Sequence, residues 1–455
     1  MFPGLYWVGN ALEIAGAPPV LALFLPLGMA FYAAFAALLY WWLSRWTMRR
    51  GWGGRQDLTS VFLLAFCWLL GEWLRGHLIT GFPWNLVGYS WAFSDTMSQG
   101  AALFGAYGLS FLLVFTVSTP VMMAWRPRGQ RGYWAPLLLS VGILTVQFVY
   151  GAWRLNEDTV LTDTKVRIVQ ANISQEDKWR PELRTANFMR HITMSAEPGS
   201  QDVDMLIWPE VAVIYFLDES PSQTAMMAQQ VKPGGVVLSG SLRREVDASG
   251  KRHHFNSFVA IESDGAVRET FDKFHLVPFG EYVPLKFLFE ALGIEKLTEG
   301  AGDYSAGPGP RVIDLPGQPS VSPLICYEVI FPGQVLPPGG RPGFLLNVTN
   351  DAWYGMSSGP YQHLMIARFR AIEEGVPMVR SASTGISAII DAHGRILAQL
   401  NLNERGIIDS RLPKPLASPS LFARIGNLTV LLLVVMSLVL VVLANQRQNR
   451  RNMHA

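Results

Sequence analysis

Leu324-Ile325-Cys326-Tyr327-Glu328 ends an apolar run and delivers a cysteine and a carboxylate at its close. A short apolar run bounded by turn formers predicts a buried strand, here residues 322–326. Two other stretches read the same way. Asp204-Met205-Leu206-Ile207-Trp208-Pro209-Glu210 is an apolar strand ending in a carboxylate. Phe271-Asp272-Lys273-Phe274-His275 opens a segment that continues to Glu281 and presents a lysine and a second carboxylate. Residues 165–171, 236–239, 255–261, 344–348 and 386–391 predict further strands, and residues 362–374 a helix. Alternating strands and helices imply an α/β domain with buried sheets. Such sheets bind ligands beyond the C-terminal ends of their strands, so Glu210, Lys273 and Cys326 are candidates to converge.

The chemistry of that set is coherent. A thiol is only a few per cent thiolate near neutral pH; a glutamate can take its proton, and an ammonium lowers its pKa. The ammonium can also stabilise a tetrahedral oxyanion, together with a backbone N–H next to the nucleophile. An unpaired cysteine is often just a small core residue. Cys326, however, is the sole cysteine of its half of the chain and is flanked by Glu328. The spacings of histidine and cysteine match no metal-binding pattern, so no metal or other cofactor is expected.

Around this domain the composition changes. Half of the 455 residues are hydrophobic and 16% are charged, against about 25% charged in soluble chains. Charges are sparse before Arg154 and ordinary from there to about Arg411. Residues 18–43, 58–74, 96–125, 132–153 and 425–446 form five apolar runs, with Glu72 the one charge near the end of the second. Runs of this length predict membrane helices. Arginines cluster at 45, 49, 50 and 55, at 126, 128 and 131, and at 447, 450 and 451. Positive short loops stay in the cytoplasm, so residues 154–424 face outward. A net charge of +2 without a long basic cluster gives no ground for a nucleic-acid partner. The outward loop Gly81-Phe82-Pro83-Trp84 reads either as an interfacial loop or as part of a lipid-facing cleft. Phe279, Tyr282, Val283, Phe287, Leu288 and Phe289 crowd apolar surface near Glu281 and predict a contact with lipid.

These motifs resemble the nitrilase superfamily, whose members use a Glu-Lys-Cys triad on an αββα sandwich; Glu210, Lys273 and Cys326 match in order. The membrane runs, the 81–90 loop, Pro278–Pro284, Asn347–Gly355, Gly359–His363 and the segment 367–377 together resemble the apolipoprotein N-acyltransferase family. The resemblance implies a membrane α-helical bundle over residues 1–153, an extracytoplasmic nitrilase-like domain over 154–420, a last membrane helix over 421–446 and a cytoplasmic tail over 447–455. It implies a multi-pass protein of the bacterial inner membrane with its catalytic domain in the periplasm. It implies acyl transfer from a phospholipid to the N-terminal amine of a diacylated apolipoprotein, through a cysteine thioester. Glu210 is then general base, Lys273 the oxyanion partner and Cys326 the nucleophile. Glu281, Glu328 and Tyr327 support them, and Trp179 and Trp353 match positions near the substrate. Residues 4–10 resemble a stretch that family members reach after two earlier membrane helices, so the chain is expected to start within the third. A membrane-tethered amidase or nitrilase would use the same triad with water as acceptor.

Overall fold

The structure is a computed structural model that describes residues 2–14, 24–50, 58–129, 132–283 and 303–453. Phe287, Leu288 and Phe289 lie outside the described residues, as do the first residues of the expected run 18–43.

Among the described residues, twelve strands form two mixed six-stranded sheets, in the orders β12-β1-β2-β3-β4-β5 and β11-β10-β9-β8-β7-β6. The parallel centre of the first is β1 (Leu161–Gln170), β2 (Met205–Ile207) and β3 (Val236–Val246), followed by the antiparallel β4 (Arg252–Glu262) and β5 (Val267–Asp272). The second has β7 (Gln318–Ile325), β8 (Phe344–Thr349) and β9 (Met378–Ala382) in parallel, with β6 (Ile313–Leu315), β10 (Ser387–Ile390) and β11 (Ile396–Leu400) antiparallel to their neighbours. β12 (Gly406–Pro413) returns to pair with β1.

Side chains alternate across each strand. Phe344, Leu346 and Val348 therefore enter the core between the sheets with Ile168, Ile207, Leu238 and Phe258. Leu345 faces the opposite way, into a core shared with helix residues Leu364 and Ala367. Outside the first sheet, Phe188, Ile192 and Met227 from the helices Arg184–Ser195 and Pro221–Ala228 cover Val169, Leu206, Val237 and Val259. The domain is the αββα sandwich that the resemblance implied.

The expected strands are present, most of them longer than predicted. β5, β6, β9, β11 and β12 were not predicted. β5 reads Val-Arg-Glu-Thr-Phe-Asp and β9 carries Arg380, so neither stands out as an apolar run. Partners across the sheet, not local pattern, hold such segments extended.

Among the described residues, four helical segments, Leu27–Arg49, Leu58–His77, Ala101–Trp125 and Ala135–Leu155, are long and apolar enough to cross a membrane. Their outer faces expose Phe31, Leu38, Trp41, Val146 and Val149, the surface a bilayer would cover. The apolar part of the C-terminal helix Leu428–Met453 is Leu428–Leu443, shorter than the other four. The expected single run 96–125 is broken. A turn of helix at Asp95–Ser98 precedes Ala101–Ser118, Gly105 has φ +63° and ψ −179°, and Thr119–Trp125 is a tighter helix.

Candidate active site

Lys273 and Cys326 directly follow the last residues of β5 and β7, and Glu210 lies three residues beyond the end of β2. The Glu210 turn sits against β3, where an added Cβ at Gly240 would lie 2.6 Å from the Glu210 Cα and 2.5 Å from the Val211 amide nitrogen. A side chain at position 240 would push the glutamate away. Lys273 continues from β5 with its amide donating to the Asn256 carbonyl at 2.9 Å. Cys326 opens a short tight helix, Cys326–Ile330, with φ +51°, a left-handed conformation that only glycine adopts freely.

The side chains meet in a buried cluster. Lys273 Nζ lies 2.9 Å from Glu281 Oε1 and 3.5 Å from Glu210 Oε1. Asn256 Nδ2 bridges the same two carboxylates, donating to Glu210 at 2.7 Å and to Glu281 at 2.9 Å. The other Glu281 oxygen accepts from the Val277 amide at 2.8 Å. Glu328 lies deeper. Its oxygens accept from the amides of Phe274 and His275 at 2.6 and 3.2 Å and of Ile325 at 2.6 Å. It thereby ties the lysine segment to the cysteine segment. Burial nonetheless pushes Glu328 up to about 8, against the pull of those amides. Tyr327 donates its hydroxyl to the Gly81 carbonyl at 2.8 Å, joining the cysteine turn to the loop of the membrane part.

Electrostatics assign resting states. Burial would discharge Lys273, but Glu281 and Glu210 outweigh it and hold the ammonium well above its usual range. Burial first, and then the Glu210 charge, push the Cys326 thiol up to about 12 despite Lys273. Cys326 therefore rests as a thiol, which attacks a carbonyl well only when a base takes its proton. The arrangement can offer a carboxylate for that proton, an ammonium for an oxyanion and a sulfur for attack.

Trp179 ends the helix Gln175–Trp179 half-buried, and Trp353 packs partly buried beside Tyr354. Sequence reasoning missed two groups at the site. Lys178 is buried, donates to the Glu210 carbonyl at 2.9 Å and is lowered by burial to about 8. Asn256 bridges the carboxylates, as described above. The visible signal for Asn256 is the one amide, beside Ser257, in the mainly apolar run 255–261; Lys178 stands among the charges of 176–180, where nothing marks it out.

An open cleft of about 570 Å³ lies beside the cluster, lined by Gly76, His77 and Ile79 of the membrane part and by Tyr282, Tyr304 and Phe331 of the sandwich.

Residues 165–418 match the carbon-nitrogen hydrolase family and residues 1–119 the apolipoprotein N-acyltransferase N-terminal domain. The chain is 38% identical to the apolipoprotein N-acyltransferase of Rhodopseudomonas palustris, across 97% of this chain and 83% of the relative. It is 38% identical to that of Bradyrhizobium diazoefficiens, across 94% and 78%, and 36% identical to that of Brucella melitensis, across 90% and 77%. With both of its parts matched and the likeness running through nearly its whole length, the chain belongs to the apolipoprotein N-acyltransferase family.

Proposed function

We propose that this enzyme moves an acyl chain from a membrane phospholipid to the N-terminal amine of a diacylglyceryl-cysteine apolipoprotein, in two steps through a thioester on Cys326. The observation that carries the reading is that Lys273, paired with Glu210 and Glu281, acts with Glu210 on the Cys326 thiol, next to a cleft whose walls Phe274, His275 and Tyr282 share with the membrane part. A hydrolase of small soluble amides has no use for such a wall.

In the first step Glu210 takes the Cys326 proton and the thiolate attacks the ester carbonyl of the donor. The Lys273 ammonium and the Tyr327 amide N–H stabilise the oxyanion. Collapse expels the lysophospholipid oxygen, which receives the proton held by Glu210. In the second step the acceptor amine attacks the thioester and Glu210 takes its proton. Collapse forms the amide and returns the sulfur to Cys326, which regains a proton. Glu281 fixes Lys273, and Glu328 fixes the two segments that carry the lysine and the cysteine.

The domain assignment follows the same reading. Residues 1–153 form the membrane part and 154–420 the catalytic domain. Residues 421–446 form a last membrane helix and 447–455 a cytoplasmic tail, with the catalytic domain on the periplasmic side of the inner membrane. The positive loops support that orientation.

The test incubates purified protein with phospholipid alone and follows intact mass. One acyl group should replace one proton, neutral hydroxylamine should remove it, and Cys326→Ala should gain nothing. Adding a diacylated lipopeptide should transfer the group to the peptide amine. An adduct on Cys326→Ala would sink the mechanism, and rapid loss of the adduct to water without acceptor would favour a hydrolase.

A further inference from the structure

A second polar cluster, fully buried, lies against the main chain of Cys326. Asp351 and Arg380 form an ion pair of 2.6 Å at its centre. Asp351 also accepts from Thr349 at 2.9 Å, and its Oδ1 lies 2.9 Å from His363 Nδ1. Arg380 donates to the Asn347 side-chain oxygen, and its Nη2 lies 3.2 Å from His363 Nδ1. From this centre two nitrogens point at one atom. His363 Nε2 is 3.3 Å and Asn347 Nδ2 3.4 Å from the Cys326 carbonyl oxygen, Nδ2 also donating to the Leu324 carbonyl at 3.0 Å. A carbonyl only accepts, so this contact requires the proton on Nε2, with Nδ1 facing Arg380 Nη2; a ring that donates from Nδ1 to Asp351 donates from Nε2 as well only when doubly protonated. A buried ion pair gives little stability over apolar packing of the same volume; what this one does is orient two donors.

The anchored carbonyl belongs to the peptide joining Cys326 to Tyr327. That peptide is planar, and in the trans form its C=O and N–H point in opposite directions. Fixing the oxygen on the His363 side therefore fixes the direction of the Tyr327 N–H on the other. The preceding φ of +51° is one that an L residue keeps only when its surroundings hold it.

We propose that His363 is a positioning residue that aims the Tyr327 amide at the oxyanion by gripping the Cys326 carbonyl. The proposal rests on the reading of Cys326 as nucleophile. It separates two reactions of the same sulfur. Acyl transfer passes through an oxyanion and needs the aimed amide, whereas alkylation by iodoacetamide is a direct displacement and does not.

The experiment compares both rates in the full-length protein in lipid nanodiscs. His363→Leu should acylate from phospholipid roughly 10- to 100-fold more slowly, within the range for disturbing one oxyanion donor. Its KM for donor should be unchanged, and its alkylation rate should stay within about twofold of wild type, since no step of that reaction uses the amide. His363→Gln, which keeps an N–H donor, should recover most of the acylation rate. If His363→Leu does not fold, His363→Met, of closer volume and also without a donor, repeats the comparison. Unchanged acylation, or acylation and alkylation falling together, would overturn the proposal. So would a folded His363→Gln as slow as the apolar variant. An acyl group gained by Cys326→Ala would instead remove the nucleophile reading, which keeps the two failures distinct.

Discussion

Cys326 combines three properties that rarely coincide in one residue: a left-handed backbone, nearly complete burial and a thiol pushed up to about 12. The raised pKa has a direct consequence for reactivity. An acid whose pKa lies that high is protonated throughout the physiological range, and its thiolate fraction grows about tenfold per pH unit below the pKa. The rate of Cys326 alkylation by iodoacetamide should therefore keep rising between about pH 7 and 10. A plateau near neutrality would mean a preformed thiolate ion pair and would contradict this resting state. Glu328 makes a different kind of prediction. Its two oxygens accept from three amides, and a glutamine there would turn an NH2 group toward at least one of those donors. Glu328→Gln should lose about 1–3 kcal/mol of stability, read by thermal unfolding in detergent, and should lose activity with it.

At the scale of elements, the site depends on one close approach and one broken helix. β2 is only three residues long, and Glu210 leaves it over a β3 position that has no side chain. Gly240→Ala should shift the glutamate and lower the rate of thioester formation at least tenfold, at a stability cost of about 1–3 kcal/mol typical of overpacking. A normal single-turnover rate in that variant would show that the turn can yield. The broken helix is Ala101–Ser118. Gly105 interrupts it, and the Ala106 amide donates to Glu373 Oε1 at 2.8 Å. Glu373 is paired at 2.7 Å with Arg370, which also reaches the Ile330 carbonyl behind the cysteine turn. Glu373→Leu leaves a buried guanidinium and a buried amide without this partner, a change worth about 3–5 kcal/mol. Arg370→Leu in the same chain should restore part of the loss. Additive losses would mean that the pair is not coupled.

For the whole molecule, the question is how the sandwich meets the membrane part. Two of the contacts that join them lie in the 81–84 loop. Tyr327 reaches Gly81. Gln362 accepts from the Trp84 indole at 2.7 Å. Arg75, at the end of Leu58–His77, holds the carbonyls of Phe82 and Trp84 at 2.8 and 2.6 Å. The 81–84 loop is thus packed between the two parts, with Gly81 on the wall of the cleft. The positive-inside argument adds a side. On a background lacking Cys67 and Cys326, a cysteine at Arg49 should resist an impermeant thiol reagent in intact cells, while one at Lys251 should react. The reverse pattern would invert the proposed orientation.

Much of this was legible along the chain, because the signals are local. Apolar runs bounded by turns located the central strands, and uncharged stretches of sufficient length located the membrane helices. Three reactive residues at strand ends were visible as a set, since each stands beside its own apolar run. β5 and β9 were not legible, because VRETFD and MVRSA form no apolar run and are held extended by their partners across the sheet. The break at Gly105 was invisible for the same reason: the ring of Phe422 fills the space where a Cβ would sit, and Glu373 caps the freed amide. Lys178, Asn256 and His363 look like ordinary polar residues until the fold carries them to Glu210 and Cys326. The sequence by itself determined which residues could react and that the chain has a membrane part and an α/β part. Only the tertiary structure decided which polar groups surround the thiol, how its carbonyl is held and where the cleft opens. These depend on contacts between residues tens to hundreds of positions apart, which no local pattern encodes.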